Sequence, residues 1–322
     1  MYSKIQRDDI YKSHLLDFIS QAYGLHAISF TEAKRGFYGE TWRLETPDRV
    51  CFVKLDYSSL HKSVFRDSLA VVEHLCKHGI SCIAKVIKTA NGSLFTDYDS
   101  AVLGIFEWID GENRQNETTK IMEYQMLTKI YSIPSEGVPI ARESFDTASI
   151  DSFLSLHERL KSLEDDVSAK CILKLFDDKS DLIWRYLRRF KTFAKRCRTD
   201  DDHFYITHGD AGGNIIVSKD KFYIVDWDEP KLAPPERDSW FCMHWRWAIN
   251  AFHAALRQSG IEYTLKSDRL AYYCYHNFFY YLTEYLTAFC DLPDMRGELL
   301  ESVSEYFSGW ITDNLIYADG IE

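Results

Sequence analysis

Three short runs near the N-terminus, 27–33, 40–46 and 50–56, are rich in Thr, Phe, Val and Trp and are cut apart by RGFYG and TPDR. This pattern restricts the fold most, because runs this short between turn formers read as antiparallel strands joined by tight turns. A helical period precedes them at 8–23, and another follows at 60–78, ending at Gly79 where a helix C-cap is expected. Two more strand candidates, 83–89 and 101–107, are joined across an Asn91-Gly92 turn. Beyond Gly111 the pattern is almost wholly helical: 115–132, 148–163, 170–197, 237–258, 267–290 and 297–317. The exception is 205–227, where two β-rich runs flank HGDAGGN and end in DWD. The expected fold class is α+β and bilobal. A small antiparallel-sheet lobe spans 1–106, a linker 107–111 and a larger helical lobe 112–322, with the active site in the cleft between lobes.

A chain of 322 residues suffices for one large domain or two modest ones, and 46% hydrophobic with 27% charged residues is ordinary globular composition. No run of about 18 or more apolar residues is present, so no membrane span is expected. The N-terminus lacks the apolar core and cleavage site of a secretory signal, which predicts a cytoplasmic protein. Eight scattered cysteines without a CxxC pair read as reduced, mostly buried thiols. The net charge of −11 makes nucleic acid a poor partner and suits a cationic ligand; solubility alone explains it equally well.

The densest chemistry lies in Thr207-His208-Gly209-Asp210-Ala211-Gly212-Gly213-Asn214, followed by Ile-Ile-Val and by Tyr223-Ile224-Val225-Asp226-Trp227-Asp228. Phosphoryl transfer needs a carboxylate to orient the acceptor hydroxyl and take its proton, and oxygen ligands that hold Mg²⁺ against the phosphates. Asp210 suits the first task, and Asn214 with Asp226 the second. Pairing of 215–217 with 222–225 as a hairpin would return Asp226 to the side of Asn214. Four carboxylates, Asp228, Glu229, Glu236 and Asp238, follow Asp226 closely. They could form an anionic wall for an amine-bearing acceptor, although Glu236 and Asp238 around Arg237 read as structural and Asp228 stays open between the two roles. The aromatic-rich stretches 238–252 and 272–285 read as core packing before sugar stacking.

HGDxxxN followed by DWDxxxxAPPERD resembles the aminoglycoside phosphotransferase family, and IVDWDEPKLAPPERD is particularly similar to the matching stretch of spectinomycin phosphotransferases. The resemblance implies a protein-kinase-like fold and transfer of the γ-phosphoryl group of ATP or GTP to an aminoglycoside or aminocyclitol hydroxyl, hence a role in antibiotic resistance. It implies that Asp210 is catalytic, that Asn214 and Asp226 bind Mg²⁺, and that His208 shapes the loop. One departure is present: the family usually has four residues between the catalytic Asp and the metal Asn, and here Ala211, Gly212 and Gly213 are three. Lys54, on the third strand, is similar to the family lysine on the α- and β-phosphates. Its helix carboxylate is open between Asp67 and Glu73, with Ser68 nearest the expected place. The loop carrying Gly36 and Gly39 would cover the β-phosphate, and the backbone of Glu107 and Ile109 would hold the purine edge. Alternative functions are a metabolic kinase of the same fold acting on choline, homoserine or a methylthio-sugar, and a non-catalytic pseudokinase-like binding protein. Only eleven residues separate Asp226 from Asp238, too few for a protein-kinase activation segment.

Overall fold

Side-chain alternation along one central strand fixes the first sheet. The structure is a computed structural model, and it describes residues 7–33, 39–58, 61–163, 165–199, 203–219 and 221–322. In β3 (Val50–Asp56), Cys51, Val53 and Leu55 are fully buried against Leu15 and Ile19 of α1 (Asp9–Tyr23). Period-two geometry turns Lys54 to the opposite face. There its neighbours across the sheet are Thr41 of β2 (Gly39–Glu45) and Gly104 of β6 (Ala101–Glu107), and α2 (Lys62–Lys77) packs Phe65 and Leu69 over Gly104. The sheet runs β1-β2-β3-β6-β4, with β1 Ser29–Glu32 and β4 Val86–Ile87 at its edges, and β5 (Thr96–Tyr98) pairs with β6 off this path. Gly39 is a steric requirement: a Cβ there would lie 1.7 Å from the Leu55 carbonyl oxygen.

The three predicted N-terminal strands and the helix before Gly79 are present, and Gly79 has φ +84°. Of the 83–89 run only Val86 and Ile87 pair with β6, and β5 is an additional short strand that the sequence pattern did not mark.

Two small sheets follow. β10 (Ile215–Ser218) and β11 (Lys221–Ile224) form the predicted hairpin, with Ile215 opposite Ile224 and Val217 opposite Phe222, and β7 (Glu112–Asn113) joins β10. β12 (Lys231–Ala233) lies between β8 (Ala141–Arg142) and β9 (Tyr205–Thr207). α3 (Glu117–Tyr131) starts at an Asn116 capping box.

Packing groups the chain into two compact units: Met1–Arg142 with Tyr205–Leu232, and Glu143–Phe204 with Ala233–Glu322. The first therefore holds the sheet, α1 to α3 and both motif segments. The second is helical, comprising α4 (Ala148–Lys161), α5 (Val167–Asp178), α6 (Ser180–Cys197), α7 (Glu236–Ser239), α8 (Arg246–Gln258), α9 (Ser267–Asp291), α10 (Arg296–Tyr306) and α11 (Thr312–Asp319). The fold class is α+β, as expected. Three helical stretches are interrupted where one continuous period was expected. Residues 170–197 break at Lys179, within the helix-poor sequence DDKSD; 237–258 passes through a 3-10 turn at Trp240–Cys242; and 297–317 breaks near Gly309.

α9 is the core of the second unit. Tyr272, Tyr273, Tyr275, Phe278 and Phe279 are buried around it, and three of the tyrosine hydroxyls donate to Asp146 O, Glu143 and Asp319. The tyrosine-rich stretch is thus core, as its spacing indicated. Of the other aromatic stretch, Trp240 and Phe252 are buried while Trp245 is exposed. No described helix is long and apolar enough to cross a membrane.

Glu236 is fully buried in this unit, accepting from Tyr263 OH at 2.9 and 2.8 Å and from the Lys266 N–H at 2.6 Å. Arg269 donates to the same tyrosine at 2.8 Å. This is the structural role expected of Glu236. Burial pushes its carboxyl up to about 6, against the stabilising hydrogen bonds of Lys266 and Tyr263. A raised carboxyl means the folded state holds the proton more tightly than the unfolded chain, so stability falls as pH rises from about 4.5 to about 6. Compared with Glu236→Gln, the wild-type protein is expected to lose about 2 kcal/mol of unfolding free energy between pH 4 and 7, read from denaturant titrations across that range.

Candidate functional site

His208 organises the first motif. Its Nδ1 accepts the Asp210 N–H at 3.1 Å and its Nε2 donates to the Val225 carbonyl at 3.0 Å, so the ring is neutral with the proton on Nε2. Trp227 lies edge-on to that ring with centroids 4.6 Å apart, and its indole N–H donates to Ile224 O at 3.1 Å. Gly209 has φ +90°, a backbone conformation that a side chain would strain. One imidazole thereby ties the loop before Asp210 to the segment before Asp226.

After Asp210 the chain makes a 3-10 turn over Ala211–Gly213, closed by Asn214 N–H to Ala211 O at 2.9 Å. The Asn214 amide donates to Asp210 O at 2.8 Å and reaches the Asp210 carboxylate at 3.3 Å. Its nitrogen is committed inside the loop, so its carbonyl oxygen is the atom left to face a ligand. Val225 N–H donates to Asn214 O at 3.0 Å, which continues the β10–β11 pairing and sets Asp226 one residue from the Asn214 backbone. The hairpin does what the spacing predicted.

Lys54 joins these residues to the sheet. Its ammonium is 2.7 Å from Asp226 Oδ1 and 2.6 and 2.5 Å from the two oxygens of Asp228, although the lysine is only 5% exposed. Burial favours the neutral amine, but Asp228 and then Asp226 overcome it and hold the ammonium above its usual range. The aspartates divide in the opposite sense. Burial pushes the Asp228 carboxyl up to about 6, with the charge of Asp226 adding to it. Asp226 resists its own desolvation because Lys54 holds it below the ordinary carboxylate range. The Asp226 side chain is 45% exposed, against 18% for Asp228.

The open question of a helix carboxylate has an answer. Asp67 is exposed, Glu73 pairs with Lys88 at 2.6 Å and Lys77 at 3.4 Å, and Ser68 is buried and donates to Phe65 O at 2.8 Å. Among the described residues α2 supplies Lys54 only the face of Phe65, 5.7 Å away.

Glu107 N–H donates to Lys85 O at 2.9 Å and Trp108 N–H to Val50 O at 3.2 Å, while the Ile109 N–H has no partner among the described residues. Gly36 lies outside the described residues; Gly39 lies on β2. Two further groups escaped the sequence reading. The buried Asp56 carboxylate bonds His61, whose Nε2 is 4.0 Å from Glu229. The His61 imidazole is held above its ordinary range, burial being outweighed by Asp56 and Asp228. Lys120 of α3 lies against Gly212. An acid ending a strand two residues after a lysine is the only sequence trace of the first; the second leaves none.

An antiparallel sheet bearing a buried lysine, with an Asp-x-x-x-Asn turn and a following aspartate gathered at it, offers the kinds of group that phosphoryl transfer uses. The model of the APH phosphotransferase enzyme family matches residues 29–273, and the chain belongs to that family. No curated protein matches it by sequence. Among solved structures, spectinomycin phosphotransferase APH(9)-Ia in complex with ADP and spectinomycin is similar, with a TM-score of 0.77 and 20% identity over 96% of this chain and 97% of the other. The AMP-bound complex of the same enzyme gives 0.73 and 21% over 96% and 98%. Amicoumacin kinase hAmiN in complex with AMP-PNP, Ca²⁺ and Ami gives 0.61 and 14% over 97% and 96%.

Replacing His208 with alanine removes both hydrogen bonds that fix the loop. The Asp210 amide is then expected to exchange its hydrogen about 10-fold faster or more, while the amides of α9 keep wild-type protection, as read by hydrogen exchange.

Proposed function

We propose that the protein transfers the γ-phosphoryl group of ATP or GTP to a hydroxyl of an aminoglycoside or aminocyclitol such as spectinomycin. The observation that carries this reading is the gathering of Asp210, Asn214, Asp226 and Lys54 in one compact unit through the bonds described. In this reading Asp210 accepts the acceptor proton, and Lys54 exchanges its carboxylate partners for the α- and β-phosphates. The Glu107 and Ile109 backbone meets the purine edge, and Gly36 and Gly39 belong to the segment that covers the phosphates. The lobes at 1–106 and 112–322, joined by 107–111, are kept as the functional division.

The residues fit a Mg²⁺ ion. Asn214 and Asp226 offer oxygen only, one carbonyl and one part-exposed carboxylate, and Mg²⁺ typically takes one or two carboxylates plus substrate phosphates and water. Among the described residues no cage of three or more His, Cys, Asp or Glu competes for that role. When bound, the ion would neutralise charge on the transferred phosphates. Asp228, freed when nucleotide takes Lys54, would be available to an ammonium group of the acceptor. The net charge of −11 suits a cationic acceptor, and the solved complex of a similar fold with spectinomycin supports an aminocyclitol. Cytoplasmic location and a role in antibiotic resistance follow as part of the same proposal.

The test is a panel of spectinomycin, streptomycin, kanamycin, hygromycin, choline and homoserine with Mg²⁺ and either ATP or GTP, with product identified by mass and ³¹P resonance. An aminocyclitol or aminoglycoside phosphate is expected, with turnover reduced about 10³-fold in Asp210→Asn and a comparable loss in Asp226→Asn. Product from choline or homoserine alone would replace the acceptor assignment with a metabolic one. Absence of product from every acceptor, or turnover indifferent to Asp210→Asn, would overturn the catalytic reading.

A further inference from the structure

Lys120, near the start of α3, places its ammonium against the bare face of Gly212: a Cβ built on that glycine would lie 2.9 Å from Lys120 Nζ. Gly212 stands midway between Asp210 and Asn214. The lysine is withdrawn from water, its side chain 13% exposed, and it bonds the Glu123 carboxylate at 3.0 and 2.8 Å. Glu123 is itself only 1% exposed, and the Tyr124 ring centre lies 5.7 Å from the ammonium. Withdrawing such a pair from water costs more than its attraction commonly returns, so it is weak evidence of a purely stabilising role.

The surroundings hold the lysine in place. The Asn116 side chain accepts from Thr119 N–H at 3.0 Å and the Thr119 hydroxyl accepts from Asn116 N–H at 2.9 Å, which fixes the helix start. Just upstream, the Asn113 amide donates to Gly213 O, so the segment before α3 is tied to the residue next to Gly212.

Charge gives the arrangement a purpose. The turn itself has no lysine or arginine, since Ala211, Gly212 and Gly213 fill it. Asp210, Asp226 and Asp228 bring three carboxylates, of which Lys54 bonds two. In phosphoryl transfer the charge of the migrating group is spread over three equatorial oxygens, and its stabilisation is mostly electrostatic. We propose that Lys120 is a catalytic residue, the cation of this loop, donating to an oxygen of the phosphoryl group as it passes between nucleotide and acceptor. The inference rests on the phosphotransferase reading above. In the step, the acceptor oxygen bonds the γ-phosphorus while the bond from that phosphorus to the β,γ-bridging oxygen breaks. The electron pair of the broken bond leaves on the nucleoside diphosphate, and the acceptor proton passes to Asp210. Lys120 forms and breaks no covalent bond; its part is to hold the equatorial oxygens of the migrating group by hydrogen bond and charge. Glycine at 212 leaves the space that its ammonium occupies.

The experiment measures steady-state turnover with the acceptor found in the panel, and calorimetric binding of Mg·ADP with and without aluminium fluoride, a mimic of the transferring phosphoryl group. It compares wild type, Lys120→Met, Lys120→Arg and the double variant Lys120→Met/Glu123→Gln. The double variant removes the carboxylate that Lys120→Met would strand, and melting curves check that each protein is folded. Lys120→Met and the double variant are expected to lose about 10²-fold or more in kcat, with the nucleotide KM within about threefold of wild type. They should lose a similar factor in affinity for the fluoride complex and keep that for Mg·ADP, and Lys120→Arg should recover part of both. A folded Lys120→Met or double variant with wild-type kcat, or with equal losses for the two complexes, overturns the assignment of Lys120 alone. Wild-type protein without turnover, or with turnover that survives Asp210→Asn, overturns the phosphotransferase reading and this inference with it.

Discussion

A buried ammonium shared by two carboxylates holds the phosphotransferase motifs to the sheet. Lys54 stands on a strand whose alternate residues are committed to the apolar face under α1, so its own side chain must go to the other side. A buried lysine without partners would lose its proton or unfold its surroundings. Asp226 and Asp228 supply the partners, and the Ile224 N–H to Cys82 O bond at 2.8 Å pins the same segment just upstream of Asp226. Removing one member of such a group leaves the others charged in a poorly solvated place, typically worse than never having had the pair. The lysine is therefore a fastening between the sheet and the segment that carries Asp226 and Asp228.

The Asp210–Asn214 turn depends on that fastening indirectly. His208 reads the position of Val225 through one nitrogen and of Asp210 through the other, so a displacement of the Asp226 segment would reach the Asp210 backbone through one rigid ring. Asn214 then spans the turn with its amide. Three residues suffice between Asp210 and Asn214 because a single 3-10 turn covers the distance.

Local signals made much of this legible. The three N-terminal strands, the Gly79 helix end and the 215–224 hairpin were all marked by period and turn chemistry, because each is decided within a few residues. The interrupted helices were not, since apolar spacing continues through Lys179 and Gly309 even where the hydrogen bonding stops. The site split along the same line. Asp210, Asn214, Asp226 and Lys54 are recognisable by residue type and order. The pairing of Lys54 with Asp228 and the approach of Lys120 to Gly212 are tertiary contacts between distant segments, with no periodic trace.

Asp226 has φ +65°, in the left-handed region where most side chains pay about 1 kcal/mol or more and Asp and Asn pay least. The position thus passes two unrelated filters, a backbone that disfavours most side chains and a carboxylate matched to Lys54. Glycine satisfies the first and fails the second; glutamate keeps a charge but loses the short side chain that tolerates this backbone. Asparagine keeps the chain path but discards the negative charge, so aspartate alone meets both demands at 226.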